Sequence, residues 1–150
     1  MDNAFFADYL ERLENLQRGL KEAVQDLPPE AMDWAPGPEM NSIAVLIAHT
    51  AGSLRYWIGD VTMDEPSGRV REKEFQTRGL SGAELLPRLD ATLDYARGAL
   101  PRMRLGNLAE EIHTEEGETF TRGWALLHAL EHGYMHLGHI QLTAQLLKEK

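Results

Sequence analysis

Apolar residues recur at Phe6, Tyr9, Leu13, Leu16, Leu20, Val24 and Leu27. Steps of three and four make one stripe on a helix, which predicts a first helix over about 2–27. Pro28 and Pro29 stop it. A Pro- and Gly-rich loop, MDWAPGPEMN, follows. Asn41 or Ser42 can then cap a second helix reaching about Ile58, just before Gly59. The stretch 60–79 is polar and reads as a long connection. Ser81 and Glu84 have the spacing of a capping box, opening a third helix to about Leu100. Its stripe is Leu85, Leu86, Leu89 and Leu93, with Pro87 set awkwardly beyond the first turn. Residues 105–118 are acidic and irregular, with room for a short extended piece ending at Gly117. Thr121 can cap a fourth helix to about Leu147, roughly 40 Å long at 1.5 Å per residue.

Four long amphipathic segments without a strong strand pattern predict an all-α protein, a four-helix bundle in one domain spanning 1–150. The connection between the second and third helices is long enough to cross the bundle. A strict up-down-up-down order is therefore not required.

The fourth helix carries the chemistry. His128, His132 and His136 stand at i, i+4 and i+8, and His139 follows three residues later. At about 100° per residue, all four fall within an arc of roughly 80°. Met135, Leu142 and Leu146 share the arc, which marks it as facing the core. Leu126, Leu130, Tyr134 and Leu137 lie opposite, so a further apolar face is expected to be covered by loops or by another subunit. Adjacent imidazoles buried together are costly unless they are hydrogen-bonded or coordinated, and imidazole is the commonest metal ligand.

Two histidines at i, i+4 sit about 6 Å apart along the axis and can converge on one ion. His128 and His139 are about 16 Å apart, so the four cannot share it. One adjacent pair needs a third ligand from another helix, and His49 within IAVLIAHTAGSLRYW is the candidate. Three histidines with an open fourth position form a catalytic rather than a closed structural site. Glu131 neighbours the arc and is a candidate for orienting a ligand. His113, in the acidic EIHTEEGE run, reads as a solvated loop residue.

Composition removes other classes. The formal net charge is −9 and no basic cluster offsets it, so nucleic acid is not an expected partner. With no cysteine there is no disulfide, thiolate ligand or cysteine nucleophile. No apolar run approaches 18 residues, and MDNAFFADYLERLE lacks an apolar leader. No membrane partner and a cytoplasmic location are the expectations.

The loop and second helix, WAPGPEMNSIAVLIAHTAGSLRYW, and the fourth helix, HALEHGYMHLGH, together resemble the DinB-like superfamily of metal-binding four-helix bundles. That superfamily includes bacillithiol- and mycothiol-dependent transferases. The loop and second helix are similar to its Trp-x-Pro element followed by a helix with a ligand histidine. The fourth-helix segment is similar to its His-x-x-x-His-x-Gly pattern. The resemblance implies His49, His132 and His136 as metal ligands and Gly138 as the motif glycine. His128 and His139 would then stand behind the ligands or on the substrate side. Many members carry Arg-Gly-Gln after the second ligand, where this chain has Leu137-Gly138-His139, similar to the branch with mycothiol-linked proteins.

The resemblance further implies an up-down-down-up order, a homodimer, and zinc or nickel as the divalent ion. The function it implies is S-transfer, with the ion activating a low-molecular-weight thiol against an electrophile. A metal-dependent hydrolase and a non-catalytic metal-binding stress-response protein are the alternatives.

Overall fold

The computed structural model describes residues 2–150. Its helices are α1 (Asp2–Val24), α2 (Ile43–Arg55), α3 (Arg71–Phe75), α4 (Gly82–Ala99) and α5 (Arg122–Lys148). A two-stranded antiparallel ribbon, β1 (Glu111–His113) and β2 (Thr119–Thr121), precedes α5. The extended piece expected in the acidic stretch is thus one arm of a hairpin, turned at Gly117 with φ of 84°. A side chain is disfavoured at that angle.

Local chemistry sets the helix starts. Ser42 Oγ accepts from the Val45 amide at 3.2 Å, so Ser42 rather than Asn41 is the cap of α2. Ser81 and Glu84 form the reciprocal capping box of α4. Thr121 Oγ1 accepts from the Trp124 amide at 3.1 Å and opens α5. Pro87 sits inside α4 on its exposed side, where the carbonyl it leaves unbonded can meet water. Beyond Arg55 the chain does not stop. It widens into a π-helical stretch, Tyr56–Thr62, where Thr62 Oγ1 donates back to the Trp57 carbonyl at 2.7 Å. Helices with wider turns of this kind concentrate at functional sites.

Side-chain pairings give the direction of each helix. The Tyr9 hydroxyl donates to the Leu126 carbonyl at 2.6 Å, and Leu137 packs beside Gly19, so α1 and α5 run parallel. His49 meets His132 and His136 while Trp57 meets His128, so α2 and α5 are antiparallel. Arg97 pairs with Glu14 and Asp90 with Lys21, so α1 and α4 are antiparallel. Thr92 Oγ1 donates to the Ala51 carbonyl and Arg55 lies over Tyr95, so α2 and α4 are parallel. The order is up-down-down-up. Two consecutive long helices that run parallel need a connection crossing the length of the bundle, and residues 56–81, with α3 inside them, provide it.

The core is built from Leu13, Leu16 and Leu20 of α1, Ile43 and Ile47 of α2, Leu85 and Leu89 of α4, and Leu126 and Ile140 of α5. Each such side chain, fully buried, contributes about 1.5–3 kcal/mol. Among the described residues, no helix is long and apolar enough to cross a membrane.

The orientation of α5 corrects the expectation from the pattern. Met135, Leu142 and Leu146 are exposed, whereas Leu126 and Leu137 are buried, Leu137 against α1. The face opposite the histidines is therefore covered by α1 itself. The histidines lie on the flank of the buried face rather than at its centre. Each step of four residues turns about 40° past a full turn. His128 and His132 are accordingly half-buried, and His136 is buried. His139, three residues on, turns back and is exposed.

Gly133 lets α1 and α5 approach, since a Cβ there would lie 2.5 Å from Leu16 Cδ2. Gly138 has open space where its Cβ would be. Gly133→Val should destabilise the fold by about 1–3 kcal/mol through overpacking. Gly138→Ala should be neutral or stabilise by up to about 1 kcal/mol from helix propensity. Urea unfolding midpoints check both; a stable Gly133→Val protein would refute the close packing.

Candidate metal centre

His49 reaches the centre from the middle of α2, and His132 and His136 reach it from successive turns of α5. His132 Nε2 lies 3.2 Å from His49 Nε2 and 3.0 Å from His136 Nε2. Among the described residues, this is the one set of three or more His, Asp or Glu side chains whose ligand atoms converge.

The outer nitrogens determine which atoms carry protons. Glu74 Oε1 accepts from His49 Nδ1 at 3.0 Å, which leaves a lone pair on His49 Nε2. Arg69 holds Glu74 in a bidentate pair, Nε to Oε2 at 2.7 Å and Nη2 to Oε1 at 2.8 Å. Both partners are largely buried, with side chains 13% and 10% exposed, so the pair fixes the carboxylate in place behind the histidine. Gly52 makes room for this, because any Cβ there would strike the Glu74 carboxylate. His136 Nδ1 lies 3.3 Å from His139 Nδ1, so His139 can fix its ring while Nε2 faces the centre. His132 Nδ1 is buried and has no hydrogen-bond partner among the described residues.

A polar network fits these distances poorly. His132 Nε2 has one in-plane valence and faces two other ring nitrogens. At best, one proton would be divided between two acceptors. A tetrahedral ion with N–metal bonds of about 2.0–2.1 Å places its ligand nitrogens about 3.3 Å apart. The observed spacings match that arrangement, and the donor set fits a borderline divalent ion.

Burial keeps the lone pairs free. It lowers His132 to about 3, with the neighbouring histidines adding to the shift, and lowers His136 to about 4. His49 is also lowered by burial, against the opposing bond to Glu74.

The centre opens onto a cleft of about 560 Å³ between α2, α5, the hairpin and the crossing connection. His49, His132 and His128 line it, with Tyr56 and Trp57 from the π-helical stretch. Phe120, Trp124 and His128 stack in sequence, and Trp57 meets all three rings edge-on.

Among the described residues Glu131 makes no hydrogen bond to the histidines. It precedes His132 by about 100° of helix rotation and is exposed. The carboxylate at the centre is Glu74, on the short α3, within a stretch whose polar composition reads as plain connection. The only sequence signal for it is a buried histidine requiring an acceptor. His113 is exposed and pairs with Thr119, away from the centre.

Glu74→Gln should weaken divalent-metal affinity about 10–100-fold, as loss of such an outer partner does. His113→Ala should leave it unchanged. Metal-competition titration of both variants checks this, and equal affinities would remove Glu74 from the centre. In metal-free protein the three histidines bind fewer protons folded than unfolded below about pH 6.5. Their contribution to stability is therefore present above about pH 6.5 and lost as the pH falls toward 4. Urea midpoints should drop over that window, and the drop should shrink in His132→Gln.

The fold and the centre can be set beside known proteins. A conserved protein from Enterococcus faecalis superposes with a TM-score of 0.75 at 18% identity, over 95% of this chain and 96% of its own. The DinB-like protein YjoA of Bacillus subtilis gives 0.73 at 15%, over 94% and 92%. YfiT of Bacillus subtilis, described as a probable metal-dependent hydrolase with an unusual four-helix bundle topology, gives 0.76 at 14%, over 99% and 90%. No curated protein matches the chain. At these identities the structures establish the fold alone. The sequence profile of the DinB superfamily matches residues 12–140, which takes in the whole histidine centre, and the chain belongs to that superfamily.

Proposed function

We propose that this protein is a divalent-metal-dependent S-transferase, acting on a low-molecular-weight thiol and an electrophile bound in the cleft beside the histidine centre. The observation that carries the reading is the convergence of three imidazole nitrogens beside a cleft that His49 and His132 line. His49, His132 and His136 would hold the ion, and zinc or nickel suits three imidazoles. Such an ion, when bound, supplies Lewis acidity and favours the thiolate of a coordinated thiol at neutral pH.

The chain's own groups do the rest. Glu74 keeps the His49 proton on Nδ1, and Arg69 holds Glu74 in position. Arg71 lines the cleft and can pair with a carboxylate on either substrate. Trp57 and Phe120 wall part of it with apolar surface. His128 stands in the same wall, its ring 5.8 Å from that of His132, and is placed to accept the proton the thiol gives up. No cysteine is present, so the sulfur nucleophile comes from the co-substrate.

The description of YfiT favours an alternative reading, metal-dependent hydrolysis, in which water takes the place of the thiol. One assay separates them. Protein reloaded with zinc or nickel is offered a panel of small thiols with a fluorogenic alkyl halide, and a panel of esters and amides without thiol. Thiol-dependent conjugation, lowered at least about 100-fold in kcat/KM by His132→Ala, is the expected result. Ester or amide turnover without thiol would establish the hydrolase instead. Neither activity in fully loaded protein would overturn both.

A further inference from the structure

We propose that another cleft, on the far side of the Arg69–Glu74 pair, binds a small multiply charged oxyanion such as a phosphate ester or a dicarboxylate. The cleft has a volume of about 570 Å³, within the range of small-ligand sites. It lies between α2, α4 and the segment 67–80. Its floor is Ala48, Ala51 and Gly52 of α2, small residues that leave the space open.

Charge selects the ligand. Five cationic side chains line the cleft, Arg55, Arg69, Lys73, Arg78 and Arg88, against one carboxylate, Glu74. The chain as a whole carries −9, so this local excess of positive charge runs against its general character. The cleft beside the histidine centre has the reverse balance, with Asp60, Glu72, Glu116 and Glu118 against Arg69 and Arg71. Arg55 and Arg69 are already committed, to Asp60 and Glu74. Lys73, Arg78 and Arg88 form no ion pair among the described residues. They come from α3, the loop after it and α4, so they approach the cavity from separate segments.

Three like charges gathered around a cavity repel one another, and an anion of charge −2 or more relieves that repulsion. Guanidinium and ammonium groups together suit phosphate or paired carboxylates. Gln76 and Thr77, also at the wall, add polar groups for ester or hydroxyl oxygens. The inference does not depend on the metal reading.

The test is a titration of the isotopically labelled protein, as isolated, with inorganic phosphate and with succinate at constant ionic strength, followed through amide shifts. Saturable shifts of the Ala51, Gly52 and Thr92 amides are expected, with a Kd of about 1 mM or tighter. The Lys73→Gln/Arg88→Gln double variant, altered at two exposed positions, should bind at least about tenfold more weakly with its helical circular dichroism unchanged. Saturation by phosphate alone identifies a phosphate ester as the ligand class, and by succinate alone a dicarboxylate. Failure of both probes to saturate overturns the proposal. So does undiminished affinity in the double variant, which would place the anion elsewhere, the histidine centre included.

Discussion

Three imidazoles brought to one point within a helical bundle are a cost before they are a site. Each gives up water, and burial lowers their basicity so that they stand as neutral lone pairs directed at one another. The arrangement persists because other groups hold the rings in place. The bond from His49 to Glu74, with Glu74 itself clamped by Arg69, is the most demanding of these constraints. It fixes the tautomer of His49, ties the crossing connection to α2, and requires the missing side chain of Gly52. That one carboxylate joins the fold's least regular segment to its most chemical residues.

The bundle's topology follows from the same region. Helices α2 and α4 run parallel, so the chain between them must travel the length of the molecule. In a simple up-down bundle that connection would be a short turn, with no residues to spare. Here it has the length to fold a π-helical stretch, a loop and a short helix, and to wall a cleft on either side of Arg69. The excess of backbone imposed by topology thus becomes cleft wall.

Much of this was legible in the sequence. The stripe of α1, the caps at Ser42, Ser81 and Thr121, and the four long helices follow from periodicity and capping, which depend on residues close in the chain. The histidines of α5 stand out because burying several imidazoles requires an explanation. Which pair meets His49 does not follow from spacing, since every adjacent pair on that helix satisfies i, i+4 or i, i+3. The resemblance to the DinB superfamily selects His132 and His136, and the antiparallel register of α2 against α5 brings those two to His49. The pattern alone gives the wrong facing for α5 because the helix is apolar on more than one side. Its buried face is chosen by where α1 packs.

The sequence by itself determined the four long helices, their caps, a cysteine-free centre rich in histidine, and the superfamily. These are properties of local spacing and of residue type. Only the tertiary structure decided that Glu74 rather than Glu131 supports the centre, that His128 belongs to the cleft wall, and that three cations without an ion pair among the described residues share one cleft. Those groups are separated along the chain and lie partly in segments with no periodicity. Their meeting depends on the parallel register of α2 and α4 and on the path of the connection between them, which no local pattern encodes.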